Sequence, residues 1–150
     1  MQRLVDIAPP EVHAVWDLLG AIPDPEVPVL TITDLGMVRS VERRGEGWVI
    51  GFTPTYSGCP ATEHLLGEIR AVMTANGFAP VHIVLQLDPP WTTDWMGPEA
   101  RERLRQYGIS PPQDHACHAH MPDEVVCPRC GSRHTCLLYT SDAADEEDNV

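Results

Sequence analysis

Lysine is absent from this 150-residue chain: all 10 basic residues are arginine, and 22 acids oppose them, for a formal charge of −12. Five of the acids, Asp142, Asp145, Glu146, Glu147 and Asp148, crowd into the last nine residues; without them the balance is 17 acids to 10 arginines, or −7. An acidic chain with no basic stripe lacks the electrostatic footprint for a phosphate backbone, which argues against nucleic acid as a partner. Long apolar runs are missing too. Nothing approaches the ~20 residues of a membrane span, and Met1-Gln2-Arg3-Leu4-Val5-Asp6 has no apolar signal-peptide core. The expected location is therefore the cytoplasm, with no membrane contact. In that compartment five cysteines, an odd number, point to metal or reactive thiols before disulfides.

Three catalytic signatures are also absent: a Glu-x-x-His pair for a di-iron site, a glycine-rich dinucleotide fingerprint and a four-cysteine ferredoxin run. What is present is a hydrophobic fraction of 43%, enough for one core in a chain of this length. Pro9-Pro10-Glu11 opens a helix to about Leu19, with Val12, Val15, Trp16 and Leu19 on one face. Val29-Leu30-Thr31-Ile32 is short and β-branched, a strand or extended entry. Met37 to Arg43 and Trp48 to Thr53 read as a hairpin around Arg44-Gly45-Glu46-Gly47. Ala61 to Asn76 reads as a helix with Leu65, Leu66, Ile69, Val72 and Met73 as its apolar stripe. Val81 to Leu87 is apolar on both phases, as expected for a strand near the centre of a sheet. The order α-β-β-α-β predicts an α+β, two-layer domain over residues 1–108 with helices on one face of a small mixed sheet. Pro98 to Tyr107 adds a short helix.

The stretch that carries chemistry is Thr53-Pro54-Thr55-Tyr56-Ser57-Gly58-Cys59-Pro60, between the second strand and the second helix. Pro60 suits a first helical turn and Gly58 permits a positive φ. Cys59 then stands just before a helix N-terminus, where free N–H groups and the helix dipole favour a thiolate that could hold a soft metal or an iron–sulfur fragment. A buried structural cysteine is the competing reading; the hydroxyls of Thr53, Thr55 and Ser57 beside the thiol tilt toward function. Upstream, Asp24 and Glu26 stand two apart among prolines; in an extended segment they share a face and could ligate a cation or cap a helix, against the plainer reading of a solvated proline-rich turn. His64 follows Cys59 by about one helical turn, though a lone helical histidine is more often no ligand. Trp91 and Trp95 lie in a loop, packing either on the domain itself or on a partner.

Asp24-Pro25-Glu26, Thr33-Asp34-Leu35-Gly36-Met37-Val38, Thr53-Pro54-Thr55 and Gly58-Cys59-Pro60 together resemble the metal–sulfur cluster biosynthesis family of SufT-like proteins. Asp88-Pro89-Pro90-Trp91-Thr92-Thr93-Asp94-Trp95-Met96, with Cys127-Pro128-Arg129-Cys130-Gly131, resembles the PaaD branch, small proteins encoded with the phenylacetyl-CoA epoxidase. The likeness spans about residues 10–135. It implies Cys59, with Asp24 and Glu26, as the metal- or cluster-binding set. It also implies the other epoxidase subunits as partners, above all an iron–sulfur, flavin-containing reductase, with a di-iron catalytic subunit beside it.

From Asp114 the composition changes. Residues 109–126 read as a linker holding His115, Cys117, His118 and His120. Cys127 and Cys130 in residues 127–135 resemble one knuckle of a zinc ribbon, half of the four ligands that structural zinc takes. From Cys136 onward, Cys136-Leu137-Leu138-Tyr139-Thr140-Ser141-Asp142-Ala143-Ala144-Asp145-Glu146 resembles the translation of a sequencing-library adapter. Residues 136–150 are accordingly expected to be adapter-derived, and the native chain to run on past Thr135 with a second cysteine pair.

The expected function is an accessory one: assisting iron–sulfur assembly in the epoxidase complex of aerobic phenylacetate breakdown, with iron or a cluster held transiently and zinc in the incomplete knuckle. Three rivals stand beside it: an enzyme with Cys59 as nucleophile, which lacks a His–Asp partner at any recognisable spacing; a structural subunit that binds the oxygenase through Trp91 and Trp95; and a general cluster-assembly factor.

Overall fold

A computed structural model describes residues 9–56, 58–112 and 126–135. Its first helix, α1 (Pro10–Leu19), starts on a proline whose fixed φ and missing N–H cost nothing there, and it buries Val12, Val15 and Leu19. Strand β1 (Val38–Arg44) turns at Gly45, φ 62°, into β2 (Gly47–Phe52). The positive φ is what a two-residue hairpin turn demands. α2 (Ala61–Ala75) then carries the chain back to β3 (Val81–Leu85), which lies parallel to β2, the crossover a parallel pair requires.

The sheet order is β1-β2-β3, with β1 antiparallel to β2. This is the α+β mixed sheet read from the sequence, with one correction. The apolar run beginning at Val81 is an edge strand, and the central strand is β2. Val81 and Ile83 pack on the core while Val84 and Leu85 stand about half exposed. Apolar residues on both phases of β3 therefore mark an edge that no other described strand covers, not burial on both faces. Of the strand or extended entry expected over Val29-Leu30-Thr31-Ile32, only a single bridge, Pro23 to Thr31, is strand-like. The segment is organised by turns instead.

The core lies between the sheet and the helices. Trp48, Ile50 and Phe52 alternate into it from β2, meeting Leu65, Ile69 and Met73 of α2 and Val15 and Leu19 of α1. Trp48 meets Phe78 edge-on at 5.4 Å. On the other face β2 offers Gly51, over which the Gln86 and Ser40 side chains fold: a Cβ there would lie 2.6 Å from both Gln86 Nε2 and Ser40 Oγ, and those side chains would have to move.

Beyond β3 the chain makes a 3₁₀ turn at Thr93–Trp95 and continues into α3 (Pro98–Tyr107), capped by Gly108 at φ 91°. α3 buries Ala100 and Leu104 and ties to the body through Arg103, which donates to Asp34 Oδ1 at 2.6 Å. No described helix is long and apolar enough to cross a membrane.

Candidate functional site

Because β2 and β3 are parallel, both finish at the same end of the sheet, and the turn leading to Cys59 leaves from there. Thr53 anchors it: its N–H donates to Met37 O at 2.8 Å. Its side chain is buried, and Oγ1 has no partner among the described residues, a costly arrangement that asks for a reason. Gly58 adopts φ 84° in open space, so the turn exploits glycine's left-handed freedom. Pro60 stands at the N-cap position of α2 without a side-chain cap, and Thr62 N–H donates to Cys59 O at 3.1 Å, so the helical spiral begins at the cysteine. Cys59 is a free thiol, 8% exposed. Thr55 is half-buried near it in the chain; Ser57 lies outside the described residues.

Tyr56 completes the site, and sequence reasoning passed over it. It is half exposed, and interaction with the Cys59 side chain raises its phenol above the ordinary pKa. Burial adds to the shift, as do the fields of Cys59 and Glu26. The signal was available: an aromatic residue three positions before the cysteine, inside a stretch otherwise small and polar.

Asp24 and Glu26 do not share a face, contrary to the extended reading. Asp24 is buried and Glu26 exposed. Asp24 Oδ1 accepts from Glu26 N–H at 2.9 Å and Val27 N–H at 2.8 Å, and Asp24 N–H donates to Leu30 O at 2.9 Å. The prolines on either side of Asp24 hold a turn, and the aspartate caps it. Asp24→Ala should therefore cost about 1–3 kcal/mol by stranding two N–H groups, lowering Tm by roughly 5–15 °C. Asp24→Asn, which keeps an acceptor, should lose less than half of that in the same melting experiment.

The remaining candidates lie elsewhere. His64 is largely exposed and sits 3.7 Å from Glu68. Trp91 Nε1 donates to Leu35 O at 2.7 Å, and Arg39 stacks on Trp95 with its guanidinium carbon 3.6 Å from the ring centre. Both indoles are half-buried against their own domain. A cleft of about 440 Å³ lined by Thr33, Asp34, Trp95 and the start of α3 shares no residue with the Cys59 turn.

Cys127 and Cys130 form a compact knuckle. Gly131 N–H donates to Cys127 O and Cys127 N–H to Ser132 O, both at 2.9 Å. Backbone N–H groups of Cys130, then Arg129, pull the Cys127 thiol below its usual pKa. His115, Cys117, His118, His120 and the tail from Cys136 lie outside the described residues. No three His, Cys, Asp or Glu side chains gather as a metal site among the described residues. With two secure ligands, the chain should bind zinc weakly or not at all. Metal analysis after mild chelation checks this; one zinc per chain retained would mean that the histidines complete the site.

Residues 13–90 match the iron–sulfur cluster assembly protein family. The chain is 75% identical over 138 residues to an Escherichia coli (strain K12) protein named as a component of 1,2-phenylacetyl-CoA epoxidase, an alignment covering 92% of this chain and 84% of that one. Among solved structures it resembles a domain of unknown function, DUF59, from Bacillus anthracis (TM-score 0.58, 26% identity, 62% of this chain and 90% of that one). It also resembles a conserved hypothetical protein of Thermotoga maritima (TM-score 0.53, 27% identity, 68% and 96%).

Proposed function

This chain belongs to the iron–sulfur cluster assembly protein family, and from that premise we propose that it matures the iron–sulfur reductase of a phenylacetyl-CoA epoxidase complex. The observation that carries the reading is the Cys59 turn. A nearly buried free thiol at the start of α2 lies beside Tyr56 and stands close in the chain to a buried Thr53 hydroxyl with no partner among the described residues. One thiol is one soft ligand. Cluster or iron is therefore cargo, its other ligands supplied by the protein that delivers or receives it. Tyr56 stands beside the sulfur, whose side chain raises the phenol's pKa, and the field of Glu26 adds to that rise. The relative named as part of the epoxidase supports that complex as the source of the client.

The test is to produce the reductase with and without this chain and to measure iron and acid-labile sulfide per reductase. A reductase short of cluster only in its absence is the expected result; a fully loaded one removes the maturation role. That second outcome, with the chain co-purifying with the epoxidase from metal-depleted cells, supports a structural subunit instead, the reading that the relative's name favours.

A further inference from the structure

The two edges of the sheet differ in kind. β1 carries Arg39, Glu42, Arg43 and Arg44, charges that discourage a further strand. β3 and its continuation, Val81-His82-Ile83-Val84-Leu85-Gln86-Leu87, contain no formal charge, proline or glycine. Val84, Leu85 and Leu87 are 48%, 47% and 58% exposed. Pro80 and Asp88-Pro89-Pro90 fence the stretch at both ends without blunting it. Among the described elements β3 packs only on β2 and α2.

The ladder fixes which backbone groups remain free. Gln86 N–H donates to Phe52 O and Trp48 N–H to Pro80 O, both at 2.8 Å, so the even-numbered residues turn their groups toward β2. By alternation Val81, Ile83, Leu85 and, continuing, Leu87 turn theirs outward.

We propose that a second copy of this chain pairs with this edge, antiparallel, about a two-fold axis at Val84. Such an interface must be self-complementary, and the seven residues are. From either end the pattern is apolar, polar, apolar, apolar, apolar, polar, apolar. Val84 then faces the second copy's Val84 as a non-hydrogen-bonded pair, the closer kind. Ile83 and the second copy's Leu85 exchange backbone hydrogen bonds, as do Val81 and the second copy's Leu87. His82 meets Gln86. One face gains an unbroken apolar row that covers Leu85 and Leu87, and the other a polar pair on each side of Val84. Two strongly acidic chains also meet where neither carries charge. The product is a six-stranded sheet with the two Cys59 turns at opposite ends, both still open.

A seven-residue strand pair is small beside the ~1,600 Å² of a standard interface, so the association is one to seek at roughly 1–200 µM chain. Sedimentation over that range should show a monomer–dimer equilibrium, with the amides of Ile83 and Leu85 gaining protection from hydrogen exchange as concentration rises. Val84→Glu sets two carboxylates face to face and should weaken the dimer by roughly tenfold or more. Val84→Arg should do the same, and an equimolar mixture of the two variants should restore it. Monomer at every concentration overturns the proposal, as do a dimer indifferent to Val84→Glu and a mixture that fails to rescue. Concentration-independent protection of Ile83 and Leu85 also overturns it, since the chain's own segments would then cover the edge. The exchange measurement on the unaltered chain decides the matter even where a variant fails to fold.

Discussion

Cys59→Ser is expected to leave this chain folded and the client reductase empty of cluster. Serine keeps the size of the side chain, so the turn and the packing of α2 should survive; a change in Tm within about 5 °C is expected. What disappears is the soft ligand. Loss of outer-shell partners alone commonly costs ~10–100-fold in metal affinity, so removal of the ligand itself should lower the iron and sulfide of the co-produced reductase by about tenfold or more. A purely structural cysteine makes the opposite prediction. A hydroxyl placed in a site 8% exposed costs about 1–3 kcal/mol if it finds no partner, and the reductase is indifferent to it. Melting of Cys59→Ser beside the iron and sulfide assay separates the two. A destabilised variant with a fully loaded reductase would end the cluster-handling role for Cys59.

Much of this arrangement was legible in the sequence because it is local. α1 announced itself by Pro10 and an i, i+3, i+4, i+7 stripe, and α2 by Pro60 and its own stripe; both fall within a residue or so of where the pattern put them. The hairpin followed from the glycines at its turn. The position of β3 was not legible, because an apolar residue on the outer phase looks the same whether covered by protein or left at an edge. Only the sheet order tells these apart. Asp24 misled for a related reason: alternation holds in a strand, but prolines on either side of it made a turn, and there the carboxylate bends back onto its own backbone. Tyr56 was missed because its role depends on a fold that brings a phenol onto a sulfur three residues away and within the field of Glu26 from another turn. Trp91 and Trp95 were read as packing either on the domain or on a partner. Their contacts with Leu35 O and Arg39 are with the domain.

Those tryptophan contacts converge on Gly36, where the largest loss of stability is expected. Gly36 adopts φ +69°, and a Cβ added there would lie 2.8 Å from Trp95 Cβ and 3.3 Å from Trp95 O. The turn around it is held tightly: Gly36 N–H donates to Thr33 O at 3.0 Å, Met37 N–H to Ile32 O at 2.9 Å, and Leu35 O receives Trp91 Nε1. Asp34 is pinned from the other side by Arg103. Alanine at position 36 therefore meets two penalties. A left-handed conformation costs a residue with a Cβ about 1–3 kcal/mol, and overpacking against backbone adds about 1–3 kcal/mol. The pair need not add fully, so a loss of roughly 2–4 kcal/mol is expected, or about 10–20 °C in Tm. Gly45→Ala is the control. It has φ +62° but nothing within 4 Å of its Cβ position, so it carries the conformational penalty alone and should lose about half as much. Arg39 stacks on Trp95, so Gly36→Ala should also quench or shift tryptophan fluorescence well below the melting transition, while Gly45→Ala should not. Equal melting temperatures for the two variants, with unchanged fluorescence, would mean that Trp95 yields freely and that Gly36 serves only its backbone angle.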